Sequence, residues 1–241
     1  MLDVHDLTPL VRRWSKHANL TADDCDAILA LPFTRKTFGK DAYVVREGQQ
    51  ATDCTLLLKG FCYRQKLLRD GARQIISFHI PTEFVDLQNG ILGLADHSVQ
   101  SVNRCEMALV PREALLELMA NRPAVRLAIW IDTLIDASIF REWVVNVGRR
   151  DFRARIAHLL CELAVRLKWI GADKGGTFDF PLTQEQLADA TGLTAVHTNR
   201  TLQSLRRDRL IQLTSGNLQV LDWEGLREAG DFEELYLHHN L

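Results

Sequence analysis

The sequence predicts an α+β protein in three parts: an N-terminal antiparallel β-barrel, one long helix and a C-terminal winged helix-turn-helix. Three observations carry this. Residues 33–110 hold many short strand-like runs at regular spacing, separated by turn residues. After Pro123 the chain runs through Asn146 without proline or glycine. Residues 183–221 read as a short helix, a glycine turn, a second helix and a β-hairpin.

Taken in order, residues 1–31 predict one or two helices. Thr21-Ala22-Asp23-Asp24 is a helix start, Ile28, Leu29 and Leu31 are available for burial, and Pro32 ends the segment. Strands then follow. Ala42–Val45 leads to a turn at Gly48, Cys54–Leu58 leads to Lys59-Gly60, and Phe61–Leu68 alternates toward Asp70-Gly71, a strong hairpin signal. Arg73–Ile80 returns and stops at Pro81, and Val99–Val102 with Cys105–Val110 close the set. Pro111-Arg112-Glu113 opens a short helix to Met119.

Pro123 occupies the first turn of the long helix, where its missing N–H costs little. Leu127, Ile131, Leu134, Ser138, Arg141 and Val145 recur at alternating four- and three-residue steps, the spacing of a dimer seam. Trp130, Ile135, Ile139, Phe140, Trp143 and Val144 make the same helix apolar on more than one side, so it is either buried all round as a core helix or shared between a partner subunit and its own barrel, and the dimer helix is the functional reading. Asn146-Val147-Gly148 reads as a hinge. Asp151 caps a helix whose Ile156, Leu159, Leu160, Leu163 and Leu167 form the core stripe of a further domain. The expected domains are 1–122 (barrel with N-terminal helices), 123–148 (dimerisation helix) and 149–241 (winged helix-turn-helix).

In the last of these, Thr183 and Gln186 have capping-box spacing, and Gly192 permits the tight turn between helices. Thr194 caps the second helix, on which Val196, Arg200 and Gln203 share one face and Leu202 and Leu205, with Thr198 as a further candidate, another. Leu210–Leu213 and Leu218–Leu221, joined across Thr214–Asn217, supply the wing.

The totals narrow the function classes. No apolar run is long enough to span a bilayer, and residues 1–6 lack the basic-then-apolar start of an export signal, so a cytoplasmic protein is expected. Five scattered cysteines (25, 54, 62, 105 and 161) without a C-x-x-C pair argue against disulfides, zinc or an iron–sulfur cradle, and they read as small buried hydrophobes. No nucleophile–base constellation or glycine-rich phosphate loop is assembled, so no enzyme, catalytic residue, metal or cofactor is expected. The net charge of −2 hides an asymmetry. Cations outnumber acids between 150 and 212, while after 221 Asp222, Glu224, Glu228, Asp231, Glu233 and Glu234 face only Arg227. A local basic field is what phosphate contact requires.

Barrel, long helix, hinge and winged helix in this order resemble the bacterial transcription-factor family of the cyclic-AMP receptor protein and the fumarate–nitrate regulator. The most specific matching pieces are Asp151–Ala157, Leu182–Ala188 with Gly192-Leu193-Thr194, and Asn199-Arg200. In the barrel, Leu58-Lys59-Gly60 and Pro81–Phe84 match the family's turns. The resemblance implies a cyclic-nucleotide-binding-like jelly roll as sensor, a homodimer joined along Leu127, Ile131, Leu134, Ser138 and Val145, double-stranded DNA as ligand and RNA polymerase as partner. It implies base or phosphate contact by Thr183, Thr194, Ala195, Val196, His197, Asn199, Arg200, Gln203 and Arg206, with Arg200 reading guanine.

Two departures stand out. Where cyclic-nucleotide binders carry Gly-Glu for the ribose and Arg-Ser or Arg-Thr for the phosphate, this chain has Asp86-Leu87 and His97-Ser98. Leucine accepts no hydroxyl, and a neutral imidazole is a poor substitute for a guanidinium. Cyclic AMP is therefore not the expected ligand, and neither is haem at His79, His97 or Cys62. Phe84, Asp86, Leu87, His97 and Ser98 are the pocket candidates for an unidentified small-molecule effector. A different class of function, a ligand-binding stress-response module whose winged helix contacts proteins, would be favoured by loss of Arg200 and of the basic balance, and neither is lost.

Overall fold

The computed structural model describes residues 4–214 and 216–239. Residues 1–3 of the expected start and Ser215 of the expected wing turn lie outside it. Two compact units form. One comprises the chain up to Arg64 with Phe78–Ala137, the other Gln65–Ser77 with Ser138–His239.

The first unit opens with a 3₁₀ turn (Val4–Leu7), α1 (Thr8–Trp14) and α2 (Ala22–Leu29). Thr21 caps α2 in a reciprocal box with Asp24. Strands β1 (Thr34–Phe38), β2 (Tyr43–Val45), β3 (Asp53–Lys59), β4 (Cys62–Leu67) and β5 (Arg73–His79) follow. Then come α3 (Leu87–Leu92), β6 (Ser98–Ser101), β7 (Cys105–Pro111), α4 (Arg112–Asn121) and α5 (Pro123–Arg149). The strands make two sheets, ordered β1-β7-β3 and β2-β6-β4-β5, with residues 65–67 of β4 and 73–77 of β5 counted with the second unit.

Period-two alternation sorts the core. Leu56 of β3 and Ala108 and Val110 of β7 join Trp14, Phe84, Leu87, Val125 and Ile129 under the helices. Their neighbours Leu57, Cys105 and Met107 face the other way and meet Phe38, Cys62, Val85 and Val99 inside the barrel. Arg13 of α1 donates two bonds to Asp132 of α5, at 2.7 and 2.9 Å, which ties the leading helices to the long one. No helix among the described residues is long and apolar enough to cross a membrane.

In the second unit α6 (Phe152–Trp169) leads to β8 (Thr177–Asp179), α7 (Gln184–Thr191) and α8 (Ala195–Arg207). The wing is β9 (Ile211–Thr214) and β10 (Asn217–Val220), with β8 completing a sheet ordered β8-β10-β9. Helix α9 (Trp223–Ala229) and a 3₁₀ turn (Glu234–Leu237) finish the unit. Helix α6 is buried from Ile156 to Ala164, so its stripe is wider than the leucine spacing suggested.

One sequence expectation is corrected here. The segment 146–148 is not a hinge, because α5 continues through it to Arg149. Glycine inside a helix costs about 1 kcal/mol relative to alanine, but tertiary bonds offset it. Asn146 is buried and donates to the Arg155 carbonyl, and the Trp143 indole donates to fully buried Glu162 at 2.9 Å.

Candidate nucleic-acid interface

Helix α7 begins where Thr183 Oγ1 accepts the Gln186 N–H and Gln186 Oε1 accepts the Thr183 N–H. It ends at Gly192, whose φ of +64° is a left-handed cap that lets Leu193 N–H reach back to the Ala188 carbonyl. Two residues later Thr194 Oγ1 accepts the His197 N–H and α8 begins. Thr198, Thr201, Leu202 and Leu205, spaced 3, 4 and 7 residues from the first, are buried and seat this helix.

The opposite face is open. Thr194, Ala195, Val196, His197, Arg200, Gln203 and Arg206 are exposed, Asn199 is half-buried and Thr183 is exposed at the start of α7. Gln203 donates to Asn199 at 3.4 Å. Arg200 makes no hydrogen bond or ion pair among the described residues, so its guanidinium fork is available to a ligand. Arg207 is partly engaged by Ser204 and Asp208.

Residues of α6 that the sequence reading did not assign to the interface anchor the reading helix. Arg153 pairs with Asp208 at 2.9 Å and donates to Ser204. Arg155 donates to the carbonyls of Arg150 and Thr191, the last residue of α7. The Phe152 ring stacks on His197 with centroids 5.1 Å apart. An aromatic residue at the exposed first position of a helix was the available sequence signal, and alone it is unspecific.

On α5, Leu127, Trp130, Leu134 and Val145 of the dimer reading and its surroundings are about half exposed or more, and Ile131 is half-buried. Ser138 differs from the others. It is buried and accepts a bond from Arg141, so it is not presented to a partner.

The barrel positions are all interior: Phe84, Asp86, Leu87, His97 and Ser98 are each less than a tenth exposed. Asp86 accepts the Thr55 N–H at 2.6 Å; burial pushes its carboxyl up to about 6, although the Thr55 bond opposes this. Burial first and the Arg64 guanidinium second hold His97 below its ordinary range, against the pull of Asp96 at 2.6 Å. A neutral imidazole at His97 and an apolar side chain at Leu87 offer no phosphate clamp. Arg64, which sequence reasoning passed over, is 2% exposed and donates to the Val85 carbonyl (2.8 Å), Asp136 of α5 (2.6 Å) and Gln88 (3.3 Å). Burial raises the thiols of Cys54 and Cys161 to about 12 and Cys105 to about 11, and it also raises Cys62, so these are packing groups rather than thiolates.

A seated helix with a free arginine on its open face, next to a wing, together with a barrel of this topology, defines a DNA-binding transcription regulator. Residues 154–229 match the model of the Crp-like helix-turn-helix domain, and residues 35–122 match that of the cyclic nucleotide-binding domain. The chain is 31% identical to the transcriptional activator protein FnrL of Cereibacter sphaeroides, over 78% of this chain and 77% of that protein. It is 25% identical to the nitrogen fixation regulation protein FixK of Azorhizobium caulinodans, over 87% and 85% of the two chains. The solved structure of FixK2 from Bradyrhizobium japonicum shares the fold, with a TM-score of 0.76 at 22% identity over 83% of this chain and 98% of that one. The chain belongs to the CRP/FNR family of transcription regulators.

Proposed function

We propose that the protein acts in the cytoplasm as a homodimeric, sequence-specific regulator. Two copies pair along the exposed apolar residues of α5, and each presents α8 to one half of a palindromic operator. The observation that carries this reading is the two-sided build of α8, seated by Thr198, Thr201, Leu202 and Leu205 and open at Arg200. Arg200 reads a guanine through O6 and N7, a contact worth about 1–3 kcal/mol of discrimination. Thr183, Thr194 and Arg206 hold phosphates and set position. Ala195 and Val196 have no side-chain hydrogen-bonding group and suit a thymine methyl. His197, Asn199 and Gln203 complete the reading face. RNA polymerase as a partner follows from relatives described as transcriptional activators.

A small polar effector in the barrel is a subsidiary reading with its own support. Both ends of the buried Asn89 amide and Nε2 of His97 have no hydrogen-bond partner among the described residues, so a polar ligand would supply what they lack. Cyclic AMP does not suit the site, for the reasons of charge and hydrogen bonding given above.

The test selects operators from a random DNA pool and then measures gel shifts at several salt concentrations, with sedimentation to establish the dimer. Arg200→Ala is expected to relax preference at one base pair per half-site. Arg206→Ala is expected to weaken all sequences alike and to lower the salt slope by about one. Identical behaviour of the two variants, or a monomer that ignores duplex DNA at low salt, would remove the reading.

A further inference from the structure

The first turn of α6 carries an aromatic ring whose exposure needs a reason. Phe152 is 50% exposed although it belongs to the helix that forms the core of its unit. Its position is well fixed. Asp151 caps the helix by accepting the Ala154 N–H at 2.8 Å, and the Arg155 guanidinium lies 5.8 Å from the Phe152 ring centre while bonded to the end of α7. The ring is stacked at 21° on the imidazole of His197, in the first turn of the reading helix.

The hydrogen bonds of His197 add a direction. Thr194 Oγ1 already accepts the His197 N–H and lies 3.2 Å from Nδ1 of the same residue. A hydroxyl has one proton to give, and with one lone pair occupied by the capping bond, its proton is suited to Nδ1. In the tautomer that takes this proton, Nδ1 is the acceptor and Nε2 carries the ring proton. Ring stacking and hydroxyl together hold an imidazole at the exposed start of α8, with a donor on its unbonded edge.

From this juxtaposition we propose that Phe152 is a positioning residue for base reading. It clamps His197 so that Nε2–H donates to the N7/O6 edge of a guanine, giving each half-site a second specified base pair beside the one read by Arg200. The inference rests on α8 being the reading helix. It goes beyond that reading by naming the side chain that orients the second contact and the base edge that contact seeks. An unclamped histidine would sample several rotamers, and the rotational freedom lost on binding would cost discrimination.

The experiment uses the full-length protein and the operator selected from the random pool. His197→Ala is expected to lower preference about tenfold at one guanine-containing pair per half-site. Phe152→Ala is expected to lower it at the same pair by most of that factor and to add nothing in the His197→Ala background. Phe152→Tyr should keep the preference, and Phe152→Leu, which keeps apolar bulk without a ring to stack, should lose it. Replacing that guanine by 7-deazaguanine should reproduce the His197→Ala loss. Thermal melts of every variant guard against a folding defect. If His197→Ala shifts a base preference while Phe152→Ala leaves it intact, or if the two losses multiply, the clamp is refuted and the reading helix stands. If neither Arg200→Ala nor His197→Ala alters any preference, the reading helix itself is misassigned.

Discussion

Arg64 offers a sharp test because the two partners of its ion pair are unequally buried. The guanidinium is 2% exposed, whereas the Asp136 side chain is 31% exposed. Replacing Arg64 with Met fills the volume of the arginine stem and removes a buried charge. It leaves the Val85 carbonyl without this donor in the interior, at about 1–3 kcal/mol. Asp136 loses its counter-charge but can rehydrate, so its share is discounted toward the surface value of about 0–1 kcal/mol. Releasing the cation from burial offsets part of this, and the sum is a loss of about 2 kcal/mol. Asp136→Asn acts on the other partner and leaves the enclosed cation without its carboxylate, for which about 3–5 kcal/mol is expected. The order is therefore the reverse of what surface exposure suggests. Removing the half-exposed acid should hurt more than removing the buried base, and the double variant should recover stability relative to Asp136→Asn. Hydrogen-exchange protection of the β3 and β4 amides reads the barrel's own opening free energy. If Asp136→Asn cost no more than Arg64→Met, or if both fell within about 0.5 kcal/mol of the parent, the charge would be reached by water and the enclosure argument would fail.

Two further outcomes follow from the same structure. Asp86→Asn keeps an oxygen for the Thr55 N–H and removes a carboxyl that burial raises to about 6 from an ordinary 3.8. The native state holds this proton more tightly than the unfolded chain, so stability falls as pH rises through 6; a rise of about two pH units corresponds to about 3 kcal/mol. Asn should therefore raise the melting temperature at pH 7.5, by an increment that shrinks below pH 6 and vanishes near pH 4; an equal increment at pH 5 would contradict the assignment. His79, which burial and then Arg64 lower to about 4, contributes oppositely by losing stability as pH falls from 6.5, so the comparison is made against the parent at each pH. Gly192→Ala places a Cβ 3.3 Å from Val147 Cγ1 at a φ of +64°, and a loss of about 1–2 kcal/mol is expected by thermal melt. Gly192→Asn should lose less, because asparagine tolerates the left-handed region; if Asn lost as much as Ala, the backbone would not be the cause.

What could be read in advance depended on how locally each feature is encoded. The boundaries of α7, Gly192 and α8 were legible because a capping box, a left-handed glycine and a second cap act within three or four residues of one another. The strands were legible through their turns. Helix α3 was not, because Leu87–Leu92 contains Asn89 and Gly90, and Gly90 answers to a tertiary constraint: a Cβ there would collide with Cys54 Sγ. Arg64 escaped notice because β4 is buried on both faces from Cys62 to Gln65, where alternation carries no information. The hinge was misplaced for a similar reason. Asn-Val-Gly weakens a helix locally, but the partners that keep it helical, Glu162 and the Arg155 carbonyl, come from a later helix.

Those partners fix the end of α5 within the second unit. Glu162, fully buried, accepts from Trp143 of α5, from Arg166 of α6 and from Tyr236 of the closing segment, each at about 3 Å. His158 adds bonds to Tyr236 and to the Gly230 carbonyl. Breaking this set exposes or orphans a buried carboxylate, so the end of α5 and α6 must move as one piece. The first compact unit ends at Ala137, one residue after the Asp136 that receives Arg64. Arg64 therefore fixes the last turn of α5 that belongs to the first unit, as Glu162 fixes the part of α5 that belongs to the second.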